Sequence, residues 1–164
     1  MPPEGGCRQA RLPTVDDTHA WGARLGALLR AGDLLVLTGD LGAGKTTLTQ
    51  GIAEGLGVRG PITSPTFVIA REHPSLVGGP DLVHVDAYRL GGFAELEDLD
   101  LEASLEEAVT VVEWGHGVAE TLSESHLDVT LRGYETRTVD VAGHGPRWTA
   151  PAASAALDDL VSLA

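Results

Sequence analysis

The chain has 164 residues, about the size of one domain, and its apolar residues include few aromatics, so one core of Leu, Val, Ile and Ala is predicted. Twenty-four acidic against 11 basic residues leave a formal charge of −13, a surface that repels phosphate backbones and argues against unaided nucleic-acid binding. The single cysteine, Cys7, excludes an internal disulfide, no apolar run is long enough to span a bilayer, and the Pro/Gly-rich start lacks the apolar stretch of a signal peptide; a cytoplasmic protein without a membrane partner is expected.

Residues 1–9 read as a disordered lead-in, 10–145 as one domain, and 146–164 as an Ala-rich, loosely attached helical tail. Ala10-Arg11-Leu12 predicts a short strand. Thr14 is a good N-cap with Asp16 and Asp17 in the first turn, and Ala20, Trp21, Leu25, Leu28 and Leu29 repeat at helical spacing up to Ala31-Gly32. Trp21 is read as a core anchor. Leu34–Thr38 is a buried-type strand, and the helix opening at Thr47 closes near Gly55-Leu56-Gly57. Pro61–Thr66 is a loop, Phe67–Ala70 a strand, and His73–Pro80 a turn-rich stretch. Leu82–Asp86 is a second buried strand. The acidic segment Phe93–Ala108 predicts one or two short helices, Val109–Val112 a third buried strand ending at Glu113-Trp114, and Gly115–Leu122 a short helix. Leu127–Arg132 and Thr138–Val141 predict two strands around the turn at Gly133-Tyr134-Glu135. Alternation of strands and helices predicts an α/β domain with a mostly parallel sheet, helices on both faces, and antiparallel strands near the carboxyl end.

Chemistry concentrates after the first buried strand. Gly39, Gly44, Lys45 and Thr46 match the pattern G-x-x-x-x-G-K-[ST] between that strand and a helix start, the context of a phosphate-binding P-loop. Glycines allow backbone N–H groups to close around an anion, and the helix start adds unpaired donors and partial positive charge. In that setting the Lys45 ammonium meets the β- and γ-phosphates of a nucleotide and the Thr46 hydroxyl ligates Mg²⁺.

Ligands in such sheets sit beyond the carboxyl ends of the strands. Asp86 and Glu113 each end a buried-type run, so parallel neighbours would bring both to the phosphate edge, to hold Mg²⁺ directly or through water or to orient an attacking water. The residues leave open which acid does which. Ser64-Pro65-Thr66 is either a simple proline turn or a switch loop whose Thr66 meets metal and γ-phosphate. Trp114 is either a stacking surface for base or ribose or a core residue. His84, alternating with Val83 and Val85, is read as a structural histidine. His73, His116, His126 and His144 are scattered, without metal-ligand spacing.

The strings GDLGAGKTT at Gly39–Thr47, SPTF at Ser64–Phe67, H-x-D-x-YRL at His84–Leu90 and EW at Glu113-Trp114, in this order, closely resemble the bacterial TsaE family of small ATPases, needed to make threonylcarbamoyladenosine in tRNA. The resemblance runs from about Thr14 to about Val141. It implies a P-loop domain that binds and hydrolyses ATP with Mg²⁺. Gly39, Asp40, Leu41, Gly42, Ala43, Gly44, Lys45, Thr46 and Thr47 would hold the phosphates. Asp86 would match the Walker-B-like acid, Glu113 the acidic metal or catalytic position, Trp114 its aromatic neighbour, and Ser64–Phe67 the switch-like loop with Thr66. Thr18, ahead of Gly22 and Gly26, fits the family's N-terminal pattern and joins the nucleotide-binding set. The resemblance also implies a partner pair, TsaD and TsaB, that performs the transfer, with tRNA met only indirectly through them. The acidic surface suits that division.

Two other function classes fit a P-loop. A small-molecule kinase needs an arginine-bearing lid, whereas Arg59, Arg71, Arg89, Arg132, Arg137 and Arg147 are not clustered in sequence. A nucleotide-gated binding module with negligible turnover would be separated from an ATPase by phosphate release. The Asn-Lys-x-Asp guanine signal is absent, which favours ATP.

Overall fold

A computed structural model describes residues 7–39, 44–60, 62, 70–86, 105–113, 122–133 and 135–162. Seven strands form one sheet in the order β1-β7-β6-β2-β5-β4-β3. They are β1 Cys7–Leu12, β2 Leu34–Gly39, β3 Ala70–His73, β4 Asp81–Asp86, β5 Ala108–Glu113, β6 His126–Arg132 and β7 Arg137–His144. The described helices are α1 Val15–Leu28, α2 Lys45–Leu56, α3 Pro146–Thr149 and α4 Pro151–Ser162. Among them no helix is long and apolar enough to cross a membrane.

The expected mostly parallel sheet is corrected to a mixed one. β2 pairs parallel with β5 and β6, and β4 with β5, whereas β3–β4, β6–β7 and β1–β7 are antiparallel. Parallel pairing is confined to strands linked by long crossovers. The hairpins β6–β7 and β3–β4 and the returning edge β1 need none, and they supply the antiparallel pairs at the two sides of the sheet. Strand β2 is buried along nearly its whole length, as a central strand requires.

Helix α1 starts as its sequence dictates. Thr14 accepts from the Asp17 amide while the Asp17 carboxylate accepts from the Thr14 amide, a complete capping box. Trp21 and Leu25 are fully buried against the α2 face of the sheet. What joins α1 to α2 is a glycine contact. A Cβ on Gly22 would stand 2.5 Å from the Leu48 carbonyl oxygen. Cβ atoms on Gly26, Gly51 and Gly55 would collide with the backbone carbonyls of Ile52, His19 and Ala23 respectively. Both helices thus carry Gly-x-x-x-Gly on the facing side, and their backbones meet with no side chain between. Helix α2 ends at Gly57, in a left-handed conformation that glycine adopts without steric cost.

The ends of the described chain depart from expectation. Cys7–Gln9, read as lead-in, belong to β1, paired with β7 from Cys7↔Ala142 onward. The segment from Pro146, read as loosely attached, is packed: Trp148 and Leu157 are buried in the core shared with α1 and α2. Polar latches reinforce it. Arg147 makes a forked contact with Asp33 (Nε–Oδ1 2.9 Å, Nη2–Oδ2 3.2 Å) and donates to the Leu28 carbonyl. Arg8 donates to Ser154 Oγ at 2.8 Å and pairs with Asp158.

Smaller departures sit at element boundaries. Helix α2 opens at Lys45, two residues before Thr47, because Gly44 serves as its N-cap. Strand β3 runs Ala70–His73, so His73 closes a strand, and Phe67–Ile69 lie outside the described residues. Ala108, read as helical, begins β5, and residues 93–104 and 115–121, where the second-face helices were expected, also lie outside them. Leu105 and Leu122 are described and join Leu34, Val36, Val83, Val85 and Val112 in a second apolar cluster, on the sheet face opposite α2.

Replacing Gly55 by alanine tests the helix contact. Alanine is favoured over glycine by about 1 kcal/mol in a free helix. Here the added methyl meets the Ala23 carbonyl, and overpacking of this kind costs about 1–3 kcal/mol. Gly55→Ala is expected to lower unfolding stability in a urea titration, while alanine at the more open Gly60 leaves it nearly unchanged.

Candidate functional site

The sheet register gathers the sequence-predicted residues at one edge. Leu37 lies opposite Glu113, and Gly39, two residues on, ends β2. Asp86 is the direct partner of Glu113 on the parallel β4. Gly39, Asp86 and Glu113 therefore sit at the carboxyl ends of three adjacent strands, and α2 begins at that edge.

The start of α2 suits an anion. Gly44 is its N-cap at φ 101°, and no side chain caps the first-turn amides. The first helical bond runs from the Leu48 amide to the Gly44 carbonyl, 2.9 Å. Lys45, on the first turn, is buried and folds back to donate through Nζ to the Gly39 carbonyl. Its own carbonyl accepts from Thr49 Oγ1 at 2.8 Å, which steadies the first turn. Thr46 and Thr47 are half-buried beside it. Asp40, Leu41, Gly42 and Ala43, the middle of the loop, lie outside the described residues, as do Thr66 and Trp114.

Glu113 is buried at 4% exposure. Its Oε2 stands 2.7 Å from Nε2 of His84, itself completely buried on β4. His84 points to the face opposite Val83 and Val85, which belong to the second cluster. It is a buried histidine whose Nε2 is partnered by the candidate acid itself, while its Nδ1 has no partner among the described residues. For Asp86 the backbone position in the ladder is described. Thr18 is fully buried, and its hydroxyl reaches back to the Thr14 carbonyl at 3.4 Å, an intrahelical contact.

One residue at this edge escaped the sequence reading. A Cβ on Gly44 would lie 2.9 Å from Nε and 3.2 Å from Cδ of Arg137, so the guanidinium lies against the N-cap of α2. The register explains why. Gly39 pairs with Leu131 and Leu131 with Val139, so Arg137, first in β7, emerges at the carboxyl end of β2. The hairpin turn at Gly133–Glu135 carried that signal, had the strand order been known. Two cationic side chains thus meet the positive end of a helix dipole, an arrangement that favours a bound anion. A separate cleft of about 460 Å³, lined among the described residues by Gly32, Leu105, Glu106, Leu122, Ser123 and Glu124, lies toward the amino end of β2, and none of these is cationic.

Comparison with known proteins agrees with the four motifs. Residues 12–139 match the family model described as "Threonylcarbamoyl adenosine biosynthesis protein TsaE". A Streptomyces coelicolor protein named tRNA threonylcarbamoyladenosine biosynthesis protein TsaE is 61% identical over 134 residues, covering 77% of this chain and 90% of the relative. A Bacillus subtilis protein of the same name is 38% identical over 146 residues, 86% of this chain and 90% of the relative. The crystal structure of Bacillus subtilis YdiB superposes with a TM-score of 0.71 at 31% identity, covering 96% of this chain and 95% of that one. With most of its length matched by the family model and by relatives of nearly its own extent, this chain belongs to the TsaE family.

Proposed function

We propose that this protein is an Mg²⁺-dependent ATPase subunit of tRNA threonylcarbamoyladenosine biosynthesis, acting on a TsaD–TsaB partner complex rather than performing the transfer itself. The observation that carries the reading is the start of α2. A buried lysine sits in its first turn, its N-cap is a glycine with positive φ, and the carboxylate of Glu113 ends the adjoining strand. This donor set fits a nucleotide phosphate with a hard divalent cation: amides and ammonium for the phosphate oxygens, hydroxyl and carboxylate oxygens for the metal.

In this reading Lys45 exchanges its bond to the Gly39 carbonyl for phosphate oxygens, and Arg137 adds charge beside Gly44. Thr46 offers its hydroxyl to Mg²⁺, with Asp86 and Glu113 as the acids that complete the metal shell or orient water. Mg²⁺, when bound, would supply neutralisation of phosphate charge. Glu113, held by His84, would orient the attacking water or close the metal shell. The loop Ser64–Phe67 with Thr66 reports nucleotide state to the partners, and Trp114 flanks the acid. The −13 charge suits a subunit that meets tRNA only through its partners.

Lys45→Ala is expected to weaken ATP binding by about 1–3 kcal/mol, the worth of a charge-assisted contact, without unfolding the chain. Calorimetric titration with ATP checks it, and unaltered affinity removes the phosphate-site assignment. Glu113→Gln should retain ATP binding while phosphate release, measured with the partners present, falls about 10²- to 10⁴-fold. His84→Gln should lower the rate with little change in ATP affinity, because it reaches the nucleotide only through Glu113. Equal rates in all three proteins would instead favour a nucleotide-gated module with negligible turnover.

The partner role has its own test. TsaD–TsaB titrated onto the protein should bind with different affinity in ADP and in a non-hydrolysable ATP analogue, since a ligand shifts an equilibrium only through differential affinity. Thr66→Ala should remove that difference and keep ADP binding. Equal affinities in the wild-type protein would leave a constitutive subunit rather than a switch.

A further inference from the structure

The histidines that look scattered in sequence are not all apart in space. The β6–β7 register places His126 directly opposite His144, and Asp128, two residues along β6, shares their face of the sheet. Both imidazoles aim Nε2 at one carboxylate oxygen: His144 Nε2 lies 3.1 Å from Asp128 Oδ2 and His126 Nε2 lies 3.6 Å from it. The rings stack with centroids 4.7 Å apart and planes inclined by 19°. One ligand atom from each of the three residues falls within 4.8 Å of the others.

We propose that His126, Asp128 and His144 form a binding site for a divalent transition-metal ion of the zinc class, at the end of the sheet remote from the phosphate loop. The donor set is two imidazole nitrogens and one carboxylate oxygen, which suits Zn²⁺ or Co²⁺ and leaves a fourth position for water. A tetrahedral ion bonded at about 2.0–2.2 Å needs its ligand atoms a little over 3 Å apart. The cluster is slightly open against that spacing and closes by small side-chain rotations. Opposed residues on antiparallel strands hold their Cβ atoms about 4.5–5.5 Å apart, so the backbone already sets the bite of the two histidines. The side chains are partly covered, at 12%, 27% and 31% exposure for His126, Asp128 and His144, which leaves an entry path and a limited desolvation cost. The acidic surface favours cations.

The site stands apart from the nucleotide reading. Leu127 pairs with Leu35 near the start of β2, whereas Leu131 pairs with Gly39 at its end. His126 is therefore five residues of strand from the phosphate edge, roughly 17 Å. His144 also lies beyond residues 12–139, where the family model matches.

The test is a Co²⁺ titration of the full-length protein in excess Mg²⁺, which occupies oxygen-only sites. Expected are visible d–d bands saturating at one equivalent, abolished by one equivalent of Zn²⁺. His144→Gln and Asp128→Asn should each weaken binding roughly tenfold or more while melting, metal-free, near the wild-type temperature. Cys7→Ser controls for the exposed thiol on neighbouring β1 and should leave the bands unchanged. No saturable band in the wild type, full affinity in both ligand variants, or loss of the band in Cys7→Ser would each overturn the site.

Discussion

The architecture depends on two helices being allowed to touch. With Gly22 and Gly26 on α1 and Gly51 and Gly55 on α2, backbone meets backbone, and a methyl at any of these positions has no room. The contact is stiff because no flexible side chain can yield. It sets how α2 lies across the sheet, and the first turn of α2 is where Gly44 and Lys45 stand. Helix α1 is in turn located by its capping box and by Trp21 and Leu25 in the core. The first turn of α2 is thus braced from behind by a face with no freedom to slide.

The opposite wall of the site is built differently. Glu113 and His84 are polar groups in the middle of an apolar layer, and each would be costly to bury alone. Together they make one contact, Nε2 to Oε2 at 2.7 Å, across two parallel strands. The bond confines a buried carboxylate to one orientation, a property useful at a reacting centre and of little use elsewhere. Preorganisation is thus divided between a glycine seam and a single buried polar pair.

Much of this was legible in the sequence, for identifiable reasons. Strong local signals survived folding: the Thr14 cap, the apolar periods of α1 and α2, the buried runs of β2, β4 and β5, and the turn of the last hairpin. Strand order was not legible, because pairing between β2, β5 and β6 depends on contacts far apart in sequence. Arg137 beside Gly44 and His126 opposite His144 follow from that order and register, so a scan for local spacing missed both. The tail was misjudged for another reason. An Ala-rich segment has weak amphipathic pattern, yet Arg147 on Asp33 and Arg8 on Ser154 and Asp158 fasten it through polar contacts that no periodicity reveals.

Strand order also has a consequence for how the chain comes into being. Central β2 is made early, but its neighbours β5 and β6 follow about 70 and 90 residues later, and Arg137 later still. While the ribosome is still extending the chain, the glycine-rich turn has a helix behind it and no completed sheet beneath it. Helices α1 and α2 can pair locally, but β2 stays open along both edges until β5 is made, and along one edge until the last hairpin arrives. A nascent chain of this protein is consequently an unfinished template with exposed strand edges, a state prone to mispairing. The surroundings of the first turn of α2, Arg137 among them, are then completed late, with the final third of the polypeptide.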